Sequence, residues 1–420
     1  MKTEKTEKEI MEFLDSIKND EIEKVKEFID KGMDVNIKYG MREVTPLIAA
    51  AEWGILDIVK LLISKGADVN YKDAFGLNAL ISALIGLKYE KIEAIVSKKE
   101  NPKIKNIREI IKLLIDNGAK IDEKEKKGRT ALMHAVLSED EEVVKLLISK
   151  GSDINLQDNY GATALHYAIY YNKPEIAKIL IESGANLNIK DKDGFSLIFL
   201  ATENENKELV KYLIDRGANI DEKDIMGKTV LMYAARIGNV EIVKLLIKSG
   251  ANVNLKDEKG RTALHYGINS NKPEIVKILI ENGADINTKD RDGFSPIFWA
   301  VKKGNIEIVK LLIKNGANIN LKDEYGRSLL YYAIHYNQTK IAKFLIDAGI
   351  DINSPDLDGN TAIFFATMDG NIEIIEYLID KGADLNIKNK TGHSVIEYAR
   401  EGDIKKILLS ALKKKKKTNL

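Results

Sequence analysis

Residues 158–190 read DNYGATALHYAIYYNKPEIAKILIESGANLNIK, and two of their glycines, Gly161 and Gly184, return along the chain every 33 residues. The first series runs Gly128, Gly161, Gly194, Gly227, Gly260, Gly293, Gly326, Gly359 and Gly392, each opening the pattern Gly-Xaa-(Thr/Ser)-Xaa-(Leu/Ile). The second runs Gly151, Gly184, Gly217, Gly250, Gly283, Gly316, Gly349 and Gly382. A fixed period of this length marks stacked supersecondary units that bury their apolar faces against one another, in place of a single globular core.

One unit can be read locally. Residues 158–161 carry turn chemistry, with glycine at a position that other residues resist. Thr163 stands where a helix N-cap belongs, and Thr45-Pro46 and Ser295-Pro296 show the same cap followed by proline at the first helical position. The spacing predicts a short first helix over 164–171, with small and apolar residues on its packed side. Pro174 and Glu175 suit the first turn of a second helix over 175–182, which carries Ile176, Ile179, Leu180 and Ile181. Ser183-Gly184 ends it, and residues 185–194 lead on as a turn-rich hairpin loop.

Helix, turn, helix and hairpin loop at this period resemble the ankyrin repeat family. The matching residues are D-x-x-G-x-T-A-L-H-Y-A at 158–168, its echo at 257–267, and EIVKLLIKSGANVN at 241–254. The resemblance covers about residues 36–410 and implies an all-α repeat solenoid whose role is protein–protein recognition without catalysis. One departure is the histidine after Thr-Xaa-Leu, kept at His166 and His265. Elsewhere that position holds mostly apolar residues such as Met133, Phe199 and Phe298, as expected of a core-facing site.

Residues 1–36 are expected to form a capping helix pair rich in Lys and Glu, and residues 37–412 eleven stacked repeats. The first repeat has Glu43 in place of the turn glycine. The second is interrupted: Gly76 and Gly118 are 42 residues apart, and the extra residues, at about 88–107, fall between its helices as a loop or a lengthening of both. Residues 413–420 read as a basic, disordered tail. On top of the period, residues 172–201 match 271–300 at 22 of 30 positions, as a duplicated block would.

Composition excludes several function classes. A formal net charge of +1 points to neither nucleic acid nor an anionic surface. The absence of cysteine removes disulfides, thiol catalysis and Cys-ligated metals, and fits a reducing cytoplasm. The charged amino terminus is not a Sec-type signal, and no stretch approaches the ~18 apolar residues of a membrane span. The five histidines have no metal-ligand spacing, and no phosphate loop, dinucleotide fingerprint or hydrolase elbow occurs. No cofactor, metal or small-molecule substrate is expected, and His166 and His265 read as structural.

The resemblance also implies where a partner would bind, on hairpin tips and the exposed side of the first helices, which in that family form a concave face. Carried over residue by residue, the tips are Phe75, Tyr160, Phe195, Phe294 and Tyr325. The late first-helix positions are Trp53, Tyr170, Tyr171, Arg236, Ile237, Lys302, Lys303, His335 and Tyr336. Phe195 and Phe294 also suit a plainer role, folded over their own hairpins or onto an adjacent repeat. The expectation is a monomeric cytoplasmic scaffold for one or more proteins. Two alternatives are an ankyrin-type effector delivered to a host cell, and nucleic-acid or membrane binding through the lysine tail.

Overall fold

The computed structural model describes residues 7–400 and 402–418. In the repeat at 158–190, the Thr163 hydroxyl accepts from the His166 N–H at 3.4 Å, while the His166 Nδ1 accepts from the Thr163 N–H at 3.2 Å. These reciprocal bonds satisfy backbone groups that a helix start leaves open, and a helix begins at Ala164. Pro174 opens the second helix, and Gly184 closes it at φ 93°.

Among the described residues, those up to 204 together with 215–218 form one compact unit, and those of 205–214 and from 219 onward form a second. The first holds α1 (Glu7–Lys18), α2 (Ile22–Asp30), α3 (Pro46–Trp53), α4 (Leu56–Ser64), α5 (Ala79–Ser97), α6 (Pro102–Asp116), α7 (Ala131–Leu137), α8 (Glu141–Ser149), α9 (Ala164–Tyr170), α10 (Pro174–Glu182) and α11 (Leu197–Glu203). The second holds most of α12 (Lys207–Asp215), then α13 (Val230–Ile237), α14 (Val240–Lys248), α15 (Ala263–Asn269), α16 (Pro273–Glu281), α17 (Pro296–Lys303) and α18 (Ile306–Lys314). It continues with α19 (Leu329–His335), α20 (Thr339–Asp347), α21 (Ala362–Met368), α22 (Ile372–Asp380), α23 (Val395–Tyr398) and α24 (Asp403–Thr418).

Within each unit, first helices pack on first helices and second helices on second helices, so two rows run side by side. Buried residues such as Leu165, Ala168, Ile176 and Leu180 recur at the same repeat positions. Each fully buried Leu or Ile contributes roughly 1.5–3 kcal/mol. No β-strand forms among the described residues. The loops instead make isolated bridges, as between Lys322 and Ser328. Successive tips are tied by single backbone bonds, such as Lys192 N–H to the Tyr160 carbonyl at 2.9 Å and Leu357 N–H to the Tyr325 carbonyl at 2.9 Å.

The recurring Asn and Asp of the loops act across repeats. Oδ1 of Asn155 accepts from the Asn186 N–H at 2.8 Å, and Asn254 does the same for Asp285 at 2.8 Å. Asp221 keeps the acceptor, for Asn252 at 2.9 Å, which explains why Asn and Asp interchange. Asn254 Nδ2 also donates to the Gly283 carbonyl at 2.9 Å, a bond that an aspartate cannot make.

Three places depart from the regular unit. Glu43 takes the left-handed conformation itself, at φ 55°, inside a loop closed by the Tyr39–Val44 bridge. The insertion lengthens both helices of its repeat, since α5 runs to Ser97 and α6 starts at Pro102. At the carboxyl end, α24 continues to Thr418, so the lysine run expected as a disordered tail is helical up to that residue. Lysine is a good helix former, and an established helix extends at one hydrogen bond per added residue. Residues 1–6 of the expected cap, and residues 419 and 420, lie outside the described residues.

Candidate functional site

An aspartate opens the turn of most hairpins. Asp158 Oδ1 accepts from the N–H groups of Tyr160 and Ala162, at 2.8 and 2.9 Å, which fixes the tip. Its other oxygen accepts from the Tyr167 hydroxyl at 2.6 Å. Asp257 and Asp323 repeat this with Tyr266 and Tyr332 and add an arginine, Arg261 or Arg327, whose Nε donates to Oδ2 at 2.9 or 2.7 Å. At Asp290 the donor is the Trp299 indole, at 3.0 Å. Asp191 holds its own tip through Asp193 and Phe195, but the two donor positions carry Phe195 and Leu200.

These partners set the carboxyl groups apart electrostatically. Burial alone would raise the Asp257 and Asp323 carboxyls, yet the tyrosine, arginine and backbone donors outweigh it and hold both below the usual range. Burial raises Asp191, helped by the neighbouring Asp193 charge. Tyr167, Tyr266 and Tyr332 are raised by burial and by donating to their aspartates. His134, His166 and His265 are lowered to about 4, mainly by burial, and so stay neutral in structural positions.

The tip residues divide. Phe75, Tyr160 and Tyr325 are exposed, whereas Phe195 and Phe294 are half-buried against Phe199 and Phe298, with ring centroids 5.6 and 5.5 Å apart. Along the first helices, Tyr170 and Tyr171 are 64% and 49% exposed and meet edge-to-face at 5.1 Å. Arg236, Lys302, Lys303, His335 and Tyr336 are exposed, and Trp53 and Ile237 are half-buried. Arg236 lies over Tyr233 at 5.0 Å, and Lys302 lies between Phe294 at 5.0 Å and Tyr336 at 5.9 Å.

In the first unit the structure gathers Tyr160, Tyr170, Tyr171 and Phe195 around one cleft of ≈ 480 Å³, which Tyr167 and Asp191 also line. Trp53 and Phe75 line another of ≈ 600 Å³ with Met11, Tyr39 and Met41, where the capping pair meets the first hairpin. Sequence reasoning passed over Tyr167 and Asp191 because their positions looked like packing and turn sites. For Tyr167 the available signal was its nine-residue spacing from Asp158, seen also at 257/266 and 323/332, and for Asp191 the break in that spacing at Leu200. It also passed over Tyr89, Ile92, Ile95 and Val96, an exposed apolar stripe on the lengthened α5. Among the described residues, no group of His, Asp and Glu is placed to hold a metal ion, and no helix is long and apolar enough to cross a membrane.

Comparison with known proteins gives a consistent picture. A family model described as ankyrin repeats (3 copies) matches residues 13–106, 103–191, 197–290 and 287–356. A second, ankyrin repeats (many copies), matches 345–399. Palmitoyltransferase AKR1 of Lachancea kluyveri is 37% identical over 122 residues, which are 29% of this chain and 14% of that protein. Putative ankyrin repeat protein FPV222 of Fowlpox virus is 31% identical over 128 residues, 27% of this chain and 17% of that protein. The chain thus spans less than a fifth of either relative. Among solved structures, the human ASB11 ankyrin repeat domain matches at 28% identity and a TM-score of 0.47, covering 52% of this chain and 98% of its own. The ankyrin repeat domain of Bcl-3, described as a unique member of the IkappaB protein family, matches at 26% and 0.49, covering 52% and 100%.

Proposed function

The chain belongs to the ankyrin repeat family, and from that premise we propose that it is a non-enzymatic scaffold binding a protein partner on its hairpin tips and first helices. Ankyrin repeats are protein–protein interaction modules. The observation that carries the reading here is the exposed tyrosine group, Tyr160, Tyr170 and Tyr171, on that face. Large amphipathic rings held at the surface by a rigid scaffold are what interface hot spots are made of. Exposed Tyr325, His335 and Tyr336 provide a second such group in the other unit. The scaffold works as a cytoplasmic monomer without a cofactor. The transferase activity named for the yeast relative stays with that protein, of which the alignment reaches only 14%.

The test is affinity capture from the native host, comparing the wild-type chain with the variant Tyr170→Ala, Tyr171→Ala, His335→Ala, Tyr336→Ala. A partner held by the wild type and lost by a folded variant is expected. Equal recovery by both proteins sinks the assignment of this face.

A further inference from the structure

The hairpin aspartates show what the tyrosine cleft of the first unit is missing. In two sister repeats the outer oxygen, Asp257 Oδ2 or Asp323 Oδ2, holds a guanidinium from its own hairpin, at Nε distances of 2.9 and 2.7 Å. Each guanidinium also lies over tyrosine rings: Arg261 over Tyr266 at 5.0 Å, and Arg327 over Tyr325 at 4.3 Å and Tyr332 at 5.6 Å. Carboxylate plus aromatic face is thus a guanidinium site that this chain builds repeatedly and fills from within. At Asp191 the arginine position is Phe195 and the tyrosine position Leu200, so neither internal donor exists. The N–H groups of Asp193 and Phe195 occupy Oδ1 alone.

Asp356 shares that loss, with Asn360 and Phe365 in the two positions. What distinguishes Asp191 is its surroundings. It lines a cleft with Tyr160, Tyr170 and Tyr171, all three exposed, and with Tyr167, whose ring stacks on Tyr171 at 6.4 Å. The walls are aromatic and the charge is negative, so the complementary ligand is a cation with a flat face. We infer that this cleft receives an arginine side chain from the partner protein, its guanidinium paired with Asp191 and stacked on the tyrosines. The inference rests on the scaffold reading above and names the chemistry of what that scaffold grips.

The full chain, with fluorotyrosine incorporated, is titrated with Nα-acetyl-arginine N-methylamide while the tyrosine fluorine resonances are followed. Resonances of Tyr170 and Tyr171, assigned by Tyr→Phe replacement, are expected to shift saturably. The citrulline analogue, neutral but of the same shape, should leave them unmoved, and the lysine analogue should bind more weakly. Asp191→Asn keeps the Oδ1 acceptor and removes the charge, and should weaken binding about ten-fold, as loss of a charge-assisted bond does. Leu200→Trp, which supplies the donor found at Trp299, should do the same, and Asp356→Asn should have no effect. Absence of saturable shifts, equal response to the citrulline or lysine analogue, or an unchanged Asp191→Asn variant overturns the inference. The two proposals fail separately. A partner lost with the four-residue variant but bound undiminished by Asp191→Asn leaves the scaffold standing and removes the arginine.

Discussion

The Tyr266 hydroxyl donates to Oδ2 of Asp257 at 2.6 Å, joining a first helix to the turn that precedes it by nine residues. The same carboxylate accepts from Arg261 and from the tip backbone, so one buried side chain orders hairpin, helix and surface together. Tyr266→Phe removes the donor and leaves the ring in place. Urea unfolding should show a loss of about 2 kcal/mol, the usual worth of a hydrogen bond to a charged group. No change would mean that Arg261 alone satisfies the oxygen.

Asp257 and Asp191 should answer oppositely to pH. Asp257 titrates below its unfolded value, so its stabilisation is present above that value, about 3.9, and is lost as pH falls through the lower folded one. Asp191 titrates above its unfolded value, so the folded state disfavours its charge and gains relative stability as pH falls through the raised value. Asp257→Asn should therefore lower stability at pH 7, whereas Asp191→Asn should leave it unchanged or raise it. The two midpoints in urea decide this directly.

Neutral buried histidines predict an acid weakness well above the carboxylate range. His166 and His265 fall from 6.5 to about 4 through burial, so stability is complete above 6.5 and declines as pH drops towards 4. Each can cost about 3 kcal/mol by pH 4 from linkage at 1.36 kcal/mol per unit. Met133 and Met232 occupy the same repeat position, and their sulfurs accept from the capping threonine N–H at 3.5 and 3.4 Å. A His166→Met, His265→Met variant should keep its caps and show a shallower fall in urea midpoint between pH 6.5 and 4.5. An unchanged slope would assign the acid weakness elsewhere.

Glycine replacements should separate conformation from space. A Cβ at Gly86 of α5 would lie 2.0 Å from the Glu52 carbonyl oxygen of α3, so Gly86→Ala forces the helices apart. Its cost should be about 3 kcal/mol, the upper end for overpacking. Gly161 and Gly293 have nearly equal φ, 78° and 80°, but only at Gly161 would the Cβ meet backbone, at 2.9 Å from Lys192 N. Thermal denaturation should rank Gly161→Ala below Gly293→Ala. The reverse order would show that the tips yield freely.

Limited trypsin digestion should cut first at Lys98 or Lys99. Both are exposed, Lys98 is at φ 54°, and they lie between the end of α5 and the start of α6. Such a junction opens locally at little cost. First cuts in the loops between 190 and 290 would place the weakest point in the regular repeats.

Much of this protein was legible because its signals are local. The Thr163 cap, Pro174 at a helix start and Gly184 at a helix end act within a few residues, and their period gave the repeat, its helices and its hairpins. The candidate tips and first-helix ends followed from the resemblance. For the insertion the sequence left a loop and longer helices equally open, and the structure shows two lengthened helices, α5 to Ser97 and α6 from Pro102. Tertiary structure decided the rest: Phe195 packs on Phe199, and Phe294 on both Phe298 and Tyr332 of the next repeat, while Tyr160, Tyr170 and Tyr171 stand in one cleft. It also decided which aspartate oxygens are answered by arginine or tyrosine and that Asp191 lines a cleft without either. Caps and turns are set by neighbours in the chain, but the pairing of a carboxylate depends on side chains that only the closing of hairpin onto helix brings within reach.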